Sequence, residues 1–426
     1  MRTVLFITYY FPPAGGPGVQ RVMGFVRHLP EYGWQPVILT VDGGTFPNRD
    51  EEALADVPPE VPVYRTRTVE PFALFNRLRG KSADEEIPFW YTGKQERQSL
   101  LMRVSRWVRA NLFIPDGRVG WLPFAGRAVG DIVRIHGPSA LLTTSPPNSV
   151  HLIGKRASRF TGLPWVADLR DPWTQVLYNR DLPRTMPARW LDRRLEQSAL
   201  SSAAAITCTT ETLRDTLGDA GRNAVIVPNG YEERDFVSEV EPISSRFQLT
   251  FVGNLSDNID VAPFLTVVRD MARDDEDFAA SFRLQLVGSV SPATMLHVER
   301  LGLGSLVETP GFVPHADAVH AMRSSTCLLF AAAHDELHAK LFEYLAAGRP
   351  MLALGNPGGN TDALLRESAR QPIVPSSDTS AIRARLAELF HQWQRGALPA
   401  WPPAAGTAYS RRALAGRLAD VLNSVA

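Results

Sequence analysis

The stretch AAAHDELHAKLFEYLAAGRP, residues 331–350, carries the strongest chemical signal in the second half of the chain. A loop with His334, Asp335 and Glu336 leads into a helix predicted from about Ala339 to Ala347, which Gly348 and Pro350 bring to an end. Lys340 and Glu343 are three residues apart and so occupy adjoining parts of one helix face. A helix amino end with a lysine beside it suits a diphosphate, because aligned N–H dipoles and an ammonium both favour negative charge. A carboxylate one turn further on can accept two hydroxyls of a ribose. The same spacing also describes an ordinary salt bridge on a solvated face, and the pattern alone leaves both readings open. His334 and His338 stand four apart, but with Asp335 breaking into loop and no third ligand in view, metal binding is disfavoured.

In the first half, PWVADLRDPWTQ crowds Asp168, Arg170, Asp171 and Trp173 around the end of a predicted strand. A carboxylate at the carboxyl edge of a parallel strand points outward, where it can orient a hydroxyl or stabilise positive charge. Asp171 is the first candidate and Asp168 the second, with Arg170 and Trp173 contacting an acceptor. The alternative is an Arg170–Asp171 pair that merely closes the loop. After the first strand comes Pro12-Pro13-Ala14-Gly15-Gly16-Pro17-Gly18, a glycine turn at a helix start where backbone N–H groups can approach an anion. It is either such a cradle or a plain turn, and it lacks the dinucleotide fingerprint: Tyr9 to Ala14 intervene after the strand, and VILTVDGG supplies only Asp42. No G-x-S-x-G elbow, Walker loop or C-x-x-C pair occurs, so covalent nucleophile chemistry has no support.

These residues need elements to hold them, and the hydrophobic pattern supplies two sets. TVLFIT, a loop, a helical stretch over Gln20–His28 and PVILTV make a βαβ unit. VPVYRT, ALLTT, PWVADL, AAAITCT and AVIVPN continue as apolar strands of the kind buried on both faces. The polar residues Val237 to Arg246 read as a linker, after which FQLTFVGN, FRLQLVGS, LVETPG, TCLLFAA, PMLALG and QPIVPS restart the alternation. The expected domains are therefore 1–237 and 247–408, with a cleft at the carboxyl ends of the strands. A last helix over 409–426 could pack back on the first domain. Residues 68–118 lack strand alternation and read as an inserted helical region. Within it, SLLMRVSRWVRANLF sets Arg103, Arg106 and Arg109 beside apolar residues, a pattern that suits either an anionic membrane surface or packing on its own domain.

Composition narrows the class. Among 426 residues, 45 Lys and Arg balance 45 Asp and Glu, and 44% are hydrophobic, so the chain is globular and not built around a nucleic-acid backbone. Cys208 and Cys327 lie far apart in apolar stretches and read as core residues. The opening MRTVLFITYYFPP is too short in apolar run for a secretory signal, and no stretch reaches the length of a membrane span, which gives a cytoplasmic reading.

FITYYFPPAGGPGVQRV, TTSPPNSVHLIGKRASRFTGLPWVADLRDPW, ITCTTETLRDTLGDAGRNAVIVPNGYE, LTFVGNL and KLFEYLAAGRPMLAL occur in this order along nearly the whole chain. Together they resemble a family-4-type glycosyltransferase of the GT-B fold, of the bacterial surface-polysaccharide kind. The resemblance implies an α/β protein of two Rossmann-like, doubly wound parallel-sheet domains facing a central cleft. It implies a nucleotide-diphosphate sugar held mainly by the second domain, and a glycan, lipid-linked or small-molecule hydroxyl acceptor held by the first. Transfer would keep the anomeric configuration without metal or cofactor, in the cytoplasm or at the inner face of the membrane.

Carried over by position, the family's paired acids fall on Asp335 and Glu343. Glu343 would bind the ribose; Asp335 stands where Glu is usual, and Glu336 competes for the donor sugar. Lys340 and Leu341 would share the donor site. Gly15 and Gly16 match the loop near the donor phosphates, and Gly253 and Asn254 match the loop after the second domain's first strand. Many relatives have Arg and Lys just beyond that loop, whereas GNLSDNIDVAPF has no basic residue before Arg269. Lys340 and the N–H groups of its helix are then expected to receive the leaving diphosphate, with Asp171 positioning the acceptor, or acting as base if configuration inverts. A sugar-nucleotide epimerase, a phosphorylase or a silent nucleotide-sugar-binding relative are the rival readings.

Overall fold

The computed structural model describes residues 1–46, 49–70, 100–175, 182–237, 240–241, 243, 245–332, 339–369, 371–399 and 407–426. The chain divides into two compact units, Met1–Pro228 with Arg411–Ala426, and Asn229–Ser410.

The first unit holds strands β1 (Arg2–Ile7), β2 (Trp34–Asp42), β3 (Val63–Arg67), β4 (Ala140–Ser145), β5 (Trp165–Leu169), β6 (Ala205–Cys208) and β7 (Val225–Ile226). They pair in the order β3-β2-β1-β4-β5-β6-β7, all parallel. The order grows outward from β1 on one side and then on the other. Because parallel crossovers are right-handed, the helices of the two halves cover opposite faces. Every residue of β4 and of β5 is buried, as a strand covered on both faces requires. Cys208 and Cys327 are buried, and burial pushes both thiols up, so they are packing residues.

The second unit repeats the plan with β8 (Phe247–Leu255), β9 (Phe282–Val290), β10 (Val307–Gly311), β11 (Cys327–Ala331), β12 (Met351–Gly355) and β13 (Val374–Pro375). Their order is β10-β9-β8-β11-β12-β13, again parallel.

The boundary falls at 228/229, earlier than the polar stretch beginning at Val237 suggested. That stretch belongs to the second unit: the Ile243 N–H donates to the Ser324 carbonyl at 2.8 Å, and the Thr326 hydroxyl donates to the Ile243 and Arg246 carbonyls at 3.0 Å. Upstream of it, the Tyr231 N–H donates to the Tyr409 carbonyl at 3.2 Å. Polar composition reads as a linker, but the described residues Ile243 and Arg246 are bonded into the second unit. The terminal helix Arg411–Val425 lies in the first unit, with Leu414, Leu418 and Leu422 in its core. It packs closely on the helix Pro17–His28: a Cβ on Gly24 would come within 2.5 Å of Arg411 Cδ. Leu418→Ala should therefore destabilise the first unit by about 2–5 kcal/mol, read as an earlier urea transition. An unchanged transition would mean that the terminal helix is not part of that core.

Candidate functional site

In the second unit the chain runs from β8 outward to β10 and then returns to β11 on the other flank of β8. Such a reversal opens a crevice outside the carboxyl ends of the two diverging strands, the usual ligand position in open α/β sheets. Gly253 and Asn254 stand at the end of β8, and the helix Ala339–Ala347 follows β11. Tyr344 fastens the two together, its hydroxyl accepting the Val252 N–H at 2.7 Å. Gly253 and Asn254 are not in the expected loop but within the last three residues of the strand, paired with Gly288 and Ser289. The strand continues there because Gly288 has no side chain: a Cβ on it would lie 2.1 Å from the Gly253 carbonyl. The loop begins at Ser256, and Arg269, the first base beyond it, pairs with Asp270 at 2.7 Å.

Lys340 Nζ lies 2.6 Å from Glu343 Oε2, with the lysine side chain 34% exposed and the glutamate side chain 10%. The salt bridge that the spacing allowed is thus formed. Leu341 is wholly buried, so its side chain belongs to the core and only its backbone N–H can serve a donor. The helix is described from Ala339 onward. Asp335, Glu336, His334 and His338 lie outside the described residues. A cavity of about 660 Å³ opens at the opposite end of this sheet, lined by Ile243, Thr326, Arg349 and Trp393. Arg349 is committed there to the Arg323 and Val240 carbonyls, so it offers no comparable chemistry.

The first unit has its own reversal, between β1 and β4. Gly16, at φ +105°, caps the helix Pro17–His28 with backbone alone, its carbonyl accepting the Val19 and Gln20 N–H groups. Arg170 donates to the Ser145 and Pro146 carbonyls at 2.7 and 3.1 Å. Its guanidinium lies against Gly18, where a Cβ would sit 1.6 Å from Nη1. The glycine turn after β1, the Ser145–Pro146 segment after β4 and Arg170 after β5 therefore meet at one place. Burial pulls the Arg170 guanidinium below its ordinary value, and the charges of Asp171 and Asp168 oppose that shift. Asp171 is exposed beside it.

Two sequence candidates are buried in the first unit. Asp168 has no exposed surface. Its Oδ1 accepts Arg21 Nη2 at 2.8 Å and the Thr207 hydroxyl at 2.7 Å; its Oδ2 accepts Arg21 Nε at 3.1 Å and the Thr144 hydroxyl at 2.7 Å. Burial alone would raise this carboxyl, but Arg21 and the two hydroxyls hold it below the ordinary range. It is a structural acid, with no lone pair to spare for an acceptor. Trp173 is 1% exposed and donates its indole N–H to Asp192 at 2.9 Å, because the chain turns inward after Asp171.

Residues 15–230 match the family described as Glycosyl transferase 4-like domain, and residues 246–392 match Glycosyl transferases group 1. The chain belongs to the family-4-type glycosyltransferases. Among solved structures, sucrose-phosphate synthase from Thermosynechococcus elongatus is similar at 14% identity and a TM-score of 0.64, over 100% of this chain and 99% of its own. A lipopolysaccharide outer core galactosyltransferase in its apo form shows 11% identity and a TM-score of 0.57, over 99% of each chain. A protein described as a UDP-N-acetylglucosamine 2-epimerase from Listeria monocytogenes shows 13% identity and a TM-score of 0.52, over 99% of this chain and 96% of its own. At these identities the likeness is one of fold, and that fold is GT-B. No curated protein matches the sequence.

The transferase also contains groups that sequence reasoning missed. Arg21, the partner of Asp168, additionally donates to the Pro228 carbonyl at 2.7 Å. Glu70 is buried after β3 and accepts from the Tyr9 hydroxyl and the Arg118 guanidinium. Burial pushes its carboxyl up to about 7, although Arg118 pulls it down. Tyr9 and Arg118 are polar residues in apolar or unpatterned sequence, and no local spacing announces their meeting with Glu70.

Asp168→Asn leaves Arg21 buried without its counter-charge and should cost this transferase about 3–5 kcal/mol in urea unfolding at neutral pH. A depressed folded-state value means that the ion pair stabilises above about pH 4, where the unfolded carboxylate is charged, and fails as acid protonates the folded one. A loss below 1 kcal/mol would show that the pair is not holding the unit. Glu70 has the opposite sign. Between about 4.5 and 7 the folded protein keeps a proton that the unfolded chain has released, so its contribution shrinks as pH rises through that window. Glu70→Gln should flatten the fall in melting temperature between these limits, a difference worth up to about 3 kcal/mol. Parallel melting profiles for the two proteins would count against a raised Glu70.

Proposed function

We propose that the chain transfers a sugar from a nucleotide-diphosphate sugar to a hydroxyl acceptor with retention of configuration, without a metal. The observation that carries this reading is the position of Lys340 and Glu343. They sit on the first turn and a half of the helix that follows β11, at the reversal point of the second unit's sheet. A diphosphate there meets backbone N–H groups and one ammonium, which draws Lys340 away from Glu343 and releases the carboxylate to accept the ribose hydroxyls.

In the transfer step, the bond from the sugar's anomeric carbon to the phosphate oxygen breaks while the acceptor oxygen bonds to that carbon on the same face. The electron pair of the broken bond stays on the diphosphate, and the acceptor proton passes to a phosphate oxygen. Lys340 contributes most as negative charge grows on the leaving group, which is where a fixed cation lowers a barrier. Asp171, exposed beside Arg170 and the glycine turn, positions the acceptor in the first unit. Asp168 and Trp173 act only by holding that loop. The acceptor class that best suits the sequence resemblance is a glycan or lipid-linked hydroxyl of surface polysaccharide, met at the inner face of the membrane.

A charge-assisted phosphate contact is worth about 1.5–3 kcal/mol in binding, and more where it strengthens in the transition state. Lys340→Ala should therefore lower turnover at least about 100-fold in a nucleotide-release assay with acceptor present, while the urea transition moves by only about 1–3 kcal/mol, the cost of leaving the nearly buried Glu343 without its partner. Turnover near wild type would overturn the assignment. The fold shared with the epimerase supports one rival, and donor consumed in the absence of any acceptor would favour it.

A further inference from the structure

The helix Met186–Leu200 turns three large apolar side chains of its first half outward. Ala188, Asp192, Ala199 and Leu200 form its buried side, whereas Met186 is 76% exposed, Trp190 58% and Leu191 41%. The helix Leu100–Leu112 does the same with Val104, Trp107 and Leu112. Asn111 ties the two together within the first unit: its amide donates to the Pro183 carbonyl at 2.9 Å, and its carbonyl accepts the Thr185 N–H and hydroxyl at 2.7 Å. Soluble proteins rarely expose several large apolar side chains on joined elements unless something covers them.

The charge around these side chains is one-sided. The two helices carry Arg103, Arg106, Arg109, Arg189, Arg193 and Arg194, against only Asp192 and Glu196, in a chain whose total charge is balanced. Both acids turn inward. Asp192 takes the Trp173 indole and Arg184, and Glu196 takes the Thr174 N–H and hydroxyl at 3.3 and 2.6 Å. Arg194 lies over the Trp190 ring at 4.9 Å, so the aromatic and cationic groups share one surface.

We propose that this two-helix face docks on an anionic lipid bilayer. Arginines match the negative headgroups, and tryptophans with short apolar neighbours enter the boundary between headgroups and chains. Among the described residues no helix is long and apolar enough to cross a membrane, so the contact is interfacial. The inference goes beyond sugar transfer and does not rest on it, because lipid binding is read without donor or acceptor.

The test is co-sedimentation of the purified full chain with phosphatidylcholine vesicles, and with vesicles in which about 30% of that lipid is replaced by phosphatidylglycerol, at about 0.1 M salt. Wild type should pellet with the anionic vesicles and remain in solution with the neutral ones. Arg103→Glu with Arg193→Glu, and separately Trp107→Ala with Trp190→Ala, should each lower partitioning at least about tenfold with an unchanged melting temperature. Should the charge-reversed protein melt early, Arg103→Gln with Arg193→Gln replaces it and should still bind less than wild type. Equal pelleting with both vesicle types, or binding unaltered in the variants, overturns the proposal. So does concentration-dependent dimerisation that the tryptophan variant abolishes, since a second copy would then be the occupant.

Discussion

The Arg21–Asp168 ion pair is the constraint on which the arrangement of the first unit's candidate site depends. Arg21 lies on the helix that follows the glycine turn, and Asp168 lies in β5, 147 residues later. The threonines that complete the aspartate's bonding come from β4 and β6, and Arg21 also holds the Pro228 carbonyl. One buried contact thus joins the glycine-capped helix, three neighbouring strands and the point where the chain leaves the unit. A buried pair of this kind adds little net stability over a well-packed apolar substitute, but it is costly to break, and it permits one arrangement of the elements that meet at it. Arg170 and Asp171, one and two residues beyond the end of β5, take their positions from that arrangement.

The second unit solves the same topological problem with a neutral link at its reversal. Its strand order has the same reversal, yet the link from the first strand to the site helix is the neutral bond between Tyr344 and the Val252 backbone. The charged residues of that helix, Lys340 and Glu343, are left to each other. Their pairing avoids leaving a nearly buried carboxylate alone. It also sets a cost on binding, because whatever takes the ammonium must replace the carboxylate it leaves.

Sequence reading recovered the strands well, since runs such as ALLTTS and WVADL are apolar enough to show burial on both faces. It placed the helix Ala339–Ala347 and the crowded turn after β5 for similar local reasons. It failed where distant residues decide the outcome. Asp168 and Asp171 are equivalent by composition, and only Arg21, far away in the chain, assigns one to the interior and the other to the surface. The family resemblance puts Gly253 in a loop, whereas the run FQLTFVGN takes it into the strand; its partner Gly288, itself without a side chain, lets the strand continue. Glu70 lay in a stretch with no periodicity, and the polar residues after Val237 concealed a bonded backbone.

The return of the terminal helix to the first unit has a consequence for biosynthesis. Leu414, Leu418 and Leu422 fill a core whose other members begin at Val4, so the segment that completes this core is translated only after the whole of Asn229–Ser410. The intervening unit is contiguous in sequence and can collapse while translation continues. The first unit's core thus waits for a segment translated after the whole second unit, and until then the helix Pro17–His28 lacks the apolar cover that Arg411–Val425 supplies.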